Sequence, residues 1–230
     1  MKVKNDFVVI DLEATTNRFS GESAIDPDSD SANEFEQTNN FIIEIGAVYV
    51  SSELKIIDQF SALVRPEESI TPFIEKLTGI TQAMVDAAEP WPIVSQQFES
   101  WILQYAPRLK DVKLCAWGNY FDIPLLRRVY AYYKKQFPFS GVAFDVKTLG
   151  FLWCAISNRK VEQLNLHDFE RMMRLVPIGP AHRALNDAYL EAQVFIQILK
   201  SLDQGVYVPD HHNPSQAYRL LKLNAVNEGE

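Results

Sequence analysis

Residues 7–16 read FVVIDLEATT and residues 41–50 read FIIEIGAVYV, and these two stretches decide the fold. Each packs Val, Ile and Phe into a short run bounded by polar residues, which predicts strands over Phe7–Leu12 and Phe41–Val50. A third run, Ile56–Val64, follows the polar break Ser51-Ser52-Glu53. Three successive strands, the last two closely linked, predict an antiparallel meander. Then the apolar spacing changes. Thr71-Pro72 is a plausible helix start, because proline is tolerated at the first helical position. Val94, Phe98, Ile102 and Tyr105 fall at helical spacing within Ile93–Tyr105. Val112–Trp117 predicts a fourth strand, followed by a helix from about Ile123 to Lys135. Val142–Phe144 predicts a fifth strand, leading into a helix through Leu149 and Trp153. Asn165 caps a helix over Leu166–Arg174, and Ala184–Leu202 is a strongly patterned helix. Strands first, then alternating strand and helix, define an α/β fold whose mixed five-stranded sheet is flanked by helices. No internal repeat and no boundary interrupts residues 1–202; residues 203–230 form a tail with turn residues and a weak amphipathic stretch, Ala217–Leu223.

The chain has 230 residues, 47% of them hydrophobic and 23% charged, enough for a substantial core. Lys+Arg number 22 against 30 Asp+Glu, a net charge of −8, so the whole protein has no long-range attraction for a polyanion. Contact with nucleic acid must be local, or carried by bound cations. The acidity is concentrated. Between Asn17 and Asn40, Arg18 alone faces Glu22, Asp26, Asp28, Asp30, Glu34 and Glu36, a net −5 in a segment rich in Ser, Asn and Asp. That composition predicts a mobile surface loop inserted in the domain, either a passive insertion or a screen that repels phosphates not properly engaged. Cys115 and Cys154 stand far apart in apolar surroundings without a C-x-x-C spacing, as buried free thiols in a reducing cytoplasm do. No run approaches the length of a membrane span, and Asp11 and Glu13 interrupt the first apolar run too early for a signal peptide. A cytoplasmic protein is expected.

Three places carry candidate chemistry. Asp11 and Glu13 are two apart on the first strand, so their carboxylates share one face while Leu12 points away. Two like charges so close repel unless a cation lies between them or one is protonated; such oxygen clusters suit Mg²⁺ or Mn²⁺. A solvated strand end explains the pair equally. Asp122 follows the turn Trp117-Gly118-Asn119 and falls where a helix begins, so helix capping alone accounts for it. His182 and Asp187 are five residues apart, about 500° on an ideal helix, and do not stack on one face. His182 therefore belongs to the loop after Gly179-Pro180 and Asp187 to the helix, an arrangement that allows the two to approach one site from different directions. A lone histidine near a helix start is as readily a surface residue.

Jointly and in this order, DLEATT at 11–16, NYFD at 119–122 and HRALND at 182–187 resemble the DnaQ-like, or DEDDh, 3′-5′ exonucleases, and IIEIGAV at 42–48, LTGIT at 77–81 and FDVKTL at 144–149 add to the resemblance. It spans about residues 5–200. The DLEAT form and the WGNY segment are most similar to the Eri-type branch, which includes RNA-trimming enzymes. The resemblance implies an RNase H-like fold and an exonuclease domain over residues 1–202. It implies that Asp11, Glu13, Asp122 and Asp187 hold two divalent cations, Mg²⁺ or Mn²⁺, with His182 as general base. It also implies that the chain around Leu12, Ala14 and Thr15 meets the terminal nucleotide, with Trp117 or Asn119 lining its pocket. Trp117 at a strand end is equally a core residue.

The expected reaction is hydrolysis at the 3′ end of single-stranded DNA or RNA, releasing nucleoside 5′-monophosphates. Arg127 and Arg128, or Arg171, Arg174 and Arg183, are candidates to meet phosphates. His211-His212 lacks a carboxylate or cysteine neighbour in sequence and is a weak metal pair. A homodimer or a processing partner is compatible with the tail. Two other functions stay open: a proofreading or processing subunit active only in an assembly, and a binding module without catalysis.

Overall fold

The computed structural model describes residues 3–16, 40–118, 120–157 and 165–205. The acidic segment 17–39, Asn119 and the tail beyond residue 205, with His211 and His212, lie outside the described residues. The sheet contains β1 (Phe7–Ala14), β2 (Ile42–Val50), β3 (Ile56–Leu63), β4 (Lys113–Ala116) and β5 (Ala143–Asp145), in the order β3-β2-β1-β4-β5. β1–β2 and β2–β3 pair antiparallel, whereas β1–β4 and β4–β5 pair parallel, which is the mixed sheet the sequence predicts. Its helices are α1 (Pro72–Thr78), α2 (Gln82–Asp86), α3 (Trp91–Ile102), α4 (Asp122–Tyr132), α5 (Val146–Ile156), α6 (Leu166–Met173) and α7 (Ala184–Gly205).

Alternation along β1 sorts the molecule into two layers. Val8, Ile10, Leu12 and Ala14 point into a core shared with Phe98 and Trp101 of α3 and Leu126 and Val129 of α4. Phe7 and Val9 point the other way, against Phe169 of α6 and Ala188, Ala192 and Phe195 of α7. The larger of these side chains, Val, Ile, Leu and Phe, each contribute about 2 kcal/mol. Both faces of β2 are covered, so it reads as a continuous apolar run rather than an alternating one. Cys115 and Cys154 are buried and unbridged in the second layer, as expected.

The helix expected over 93–105 begins earlier, at Trp91, because Pro90 and Pro92 fix the first turn, and it ends at Ile102. α2 was not expected. At five residues it is too short to show a period, and Thr81, whose side chain accepts from the Met84 amide, defines it. Among the described residues no helix is long and apolar enough to cross a membrane.

Candidate active site

β1 outruns its parallel neighbour. It pairs with β4 only over Phe7–Val9, but with β2 as far as Ala14. The carboxyl end of β1 is thus free of its parallel neighbour, at the end of the sheet where open α/β folds place their ligands. Asp11 and Glu13 continue the Phe7–Val9 face there, on the side that α7 covers. The Leu12 amide, left without a partner on β4, donates to Oδ1 of Asp122 at 3.0 Å. This corrects the capping account of Asp122. Phe121 occupies the cap position of α4 without a side-chain bond, and Asp122 is the first helical residue. Its carboxylate, 5% exposed, crosses to β1 because β4 stops short.

His182 and Asp187 come together, as their spacing allows. His182 sits in the left-handed region at φ 59°, exposed, on the loop before α7. Its backbone N–H donates to Oδ2 of Asp187 at 2.9 Å, so the helical carboxylate closes the loop that carries the imidazole. Ligand atoms of Glu13, His182 and Asp187 all lie within 4.8 Å of one another. Glu44 on β2, paired across the strands with Glu13, fixes this arrangement from behind. Its carboxylate accepts the Ala184 amide at 2.9 Å, capping α7 from another element. It also takes two bonds from Nε of Arg183, at 3.2 and 3.1 Å, and one from Nη2 at 2.6 Å. Such a fork-to-carboxylate pair orients as well as attracts.

Burial and mutual repulsion dominate the electrostatics. Burial first, then the charge of Asp187 and Glu44, pushes Glu13 up to about 8. Asp122 is pushed up to about 7 by burial, against the opposing bond from Leu12. Asp11 is raised well above the carboxylate range by burial and by Asp122, Glu191 and Glu13, and Asp187 is raised by burial despite the His182 amide. These four carboxyl groups have their proton affinity raised by burial, and Asp11 and Glu13 also by the charge of neighbouring carboxylates. Together they form a donor set for a hard divalent cation, which offsets the cost of burying the charges and prefers oxygen ligands. The residues present therefore fit Mg²⁺ or Mn²⁺.

Other expected contacts fall differently. The Leu12 and Ala14 side chains are buried on the α3–α4 side. Thr15 is a junction: its N–H donates to Phe41, its carbonyl accepts from Thr71, and its hydroxyl bonds Asn40 and the Phe41 amide. Its polar groups are taken, so a nucleotide could meet it only by packing. The Trp117 ring packs edge-on to Phe169, centroids 5.2 Å apart, which places it in the α5–α7 core layer. Arg183 is held by Glu44, Arg128 bonds the Asn40 carbonyl, Arg127 lies over Phe137, and Arg171 pairs with Asp168. Sequence reading passed over two carboxyl groups. Glu44 hides inside a fully buried strand. Glu191 stands in the Ala184-Ala188-Phe195-Ile198 stripe of α7, where a core residue belongs, and that misfit is the signal that identifies it.

Fold and carboxylate cluster together define an RNase H-like nuclease architecture with an acidic, histidine-edged site. The chain belongs to the DnaQ-like exonucleases: the RNase T exonuclease family matches residues 8–195. It is 32% identical over 228 residues to a Mycobacterium tuberculosis (strain CDC 1551 / Oshkosh) protein named as a bifunctional exonuclease/endonuclease, covering 95% of this chain and 31% of that one. It is 28% identical over 206 residues to the 3′-5′ exonuclease DinG of Bacillus subtilis (strain 168), covering 89% of this chain and 19% of that one. This chain thus spans less than a third of either relative. Among solved structures, the nuclease domain of 3′hExo, a DEDDh family member bound to rAMP, superposes with a TM-score of 0.66 at 23% identity, covering 86% of this chain and 92% of that domain.

Proposed function

We propose that the protein is a divalent-cation-dependent 3′-5′ exonuclease that releases nucleoside 5′-monophosphates from single-stranded DNA or RNA, with residues 1–202 as its catalytic domain and 203–230 as a tail. The observation that carries this reading is the convergence of Glu13, His182 and Asp187 within 4.8 Å, with Asp11 and Asp122 near enough to interact with their charges. The polarity is that named for DinG.

Asp11, Glu13, Asp122 and Asp187 would hold two cations. Bound Mg²⁺ or Mn²⁺ supplies acidity to the attacking water and charge to offset the leaving 3′ oxygen. The chain does the rest. Water adds to phosphorus as the bond to the 3′ oxygen breaks, and a ring nitrogen of His182 accepts the proton that water releases. Imidazole carries a lone pair on one ring nitrogen and a proton on the other, which suits it to proton transfer. Its exposed place at the edge of the carboxylate cluster suits a group that must receive a proton and pass it to solvent. Tyr120, 62% exposed next to Asp122, offers a face on which a base can stack without regard to sequence. The −8 charge is no obstacle, because cations held by Asp11, Glu13, Asp122 and Asp187 would supply the positive charge a phosphate needs.

The test is a 5′-labelled oligonucleotide of DNA and its RNA counterpart, with protein stripped by EDTA and then supplied with Mg²⁺ or Mn²⁺. A ladder shortening from the 3′ end is expected, and a 3′-end block stops it. Absence of a ladder on both substrates sinks the reading. A second reading is favoured by the relatives, in which this chain's counterpart is one part of a longer protein: the site works within an assembly that delivers substrate. Activity that rises with an added polymerase or RNA-binding partner distinguishes it.

A further inference from the structure

Glu191 is the most anomalous residue of the core. Its neighbours along the buried face of α7 are Ala188, Ala192 and Phe195, and it is only 1% exposed. Neither carboxyl oxygen finds a hydrogen-bond partner among the described residues. The Trp117 amide lies near enough to favour the charged form without completing a bond. A buried, unpaired carboxyl group is costly, and an apolar residue in its place would pack the helix better. What surrounds it explains why it is there. Glu191 stands one turn beyond Asp187, and residues four apart share a helix face. Its charge is felt by Asp11, and it in turn feels Asp122 and Asp187. Three of the four proposed cation-holding groups therefore lie near enough to interact with its charge, Asp187 on the same helix and Asp11 and Asp122 on other elements.

We infer that Glu191 is a fifth carboxyl group of the cation site, a positioning residue that accepts hydrogen bonds from the hydration shell of the bound cation. We place it behind the ligands rather than among them: it lies one turn along α7 from Asp187, 1% exposed, and outside the group formed by Glu13, His182 and Asp187. Mg²⁺ gives up its waters reluctantly, and those waters are donors in need of acceptors. Both oxygens of Glu191 lack a completed hydrogen bond among the described residues and are placed to accept one. Groups in this outer position orient a metal's shell, and losing one weakens affinity by about 10- to 100-fold.

The inference rests on the cation-site reading above, and the experiment separates the two. Full-length protein, stripped of metal, is titrated with Mn²⁺ by calorimetry, and its metal-free unfolding is followed by heating, for wild type, Glu191→Gln and Glu191→Leu. The expected result is that both variants unfold at or above the wild-type temperature without metal, yet bind Mn²⁺ about 10-fold or more weakly. That combination marks a residue kept for the ion at the fold's expense. A wild type that binds Mn²⁺, with variants within about twofold of it, overturns the role of Glu191 alone. Both variants unfolding well below wild type without metal would mark a purely structural residue and overturn it too. A wild type that takes up no Mn²⁺ brings down the cation site itself.

Discussion

Asp187 serves the site twice, lining the carboxylate cluster and holding the loop of His182 through its backbone amide. Asp187→Ala removes both functions, and the 3′-end ladder should vanish while the fold survives on circular dichroism. Retained activity would remove Asp187 from the chemistry. His182→Ala is more selective. A lost general base lowers kcat by about 10²- to 10⁴-fold, with Mn²⁺ affinity by calorimetry little changed; a collapse in affinity would make His182 a ligand instead. Glu44→Gln tests the support behind both. With the charge gone, Arg183 and the α7 cap loosen, and a misplaced imidazole costs kcat about 10²-fold with KM unchanged. These residues were unequally legible. For Asp11, Glu13, His182 and Asp187, spacing places two on one strand face and two at a helix start but leaves surface roles open; only the joint order of DLEATT, NYFD and HRALND, through its resemblance to the DnaQ-like exonucleases, singles them out. Asp122 was visible as a residue but not as a partner of Leu12, since that bond depends on where β4 stops. Glu44 and Glu191 needed the packed structure, because only burial separates them from ordinary charges.

At the scale of elements, the site depends on how closely α7 approaches the sheet. Gly46 on β2 lies directly beneath the start of α7, and a Cβ added there would overlap the backbone of Ala184 and Leu185. The obstacle is backbone, not a flexible side chain, so the helix start itself must move. Gly46→Ala is expected to lower Tm by about 5 °C, as overpacking by a methyl group does. Because the first turn of α7 carries Asp187 and follows His182, kcat should fall with it. Unchanged kcat beside a lowered Tm would show that the helix start relaxes without moving the site. Among the elements, long patterned ones such as β2 and α7 could be read from sequence, along with the order of strands. α2 could not, because one turn fixed by Thr81 has no period to detect. The close approach at Gly46 was equally hidden, since glycine inside a strand marks a bend or a near neighbour without saying which.

The whole molecule should register the site as a dependence of stability on pH. In the metal-free protein Glu13 is pushed up to about 8 and Asp122 to about 7, and Asp11 and Asp187 are raised as well. A carboxyl group with a raised folded value keeps a proton that the unfolded chain has released, so the folded state binds more protons across that window. Stability is then fully present below the ordinary carboxylate range and is lost as pH rises through the folded values, from about 4.5 to about 8. Asp58 and Asp111 shift the opposite way, held low by Tyr105 and by Arg108. Their contribution develops below the ordinary carboxylate range and does not mask the fall above it. Metal-free protein heated at pH 5 and at pH 8.5 should therefore lose about 5 °C or more in Tm between them. Saturating Mn²⁺ should reduce the loss, because cations take the place of protons and bind more tightly as the carboxyl groups ionise. Glu13→Gln and Asp122→Asn, which cannot ionise, should each flatten the metal-free profile. A metal-free Tm that holds level across this range would mean that these carboxyl groups are not crowded together in solution, and the cation site would lose its physical basis.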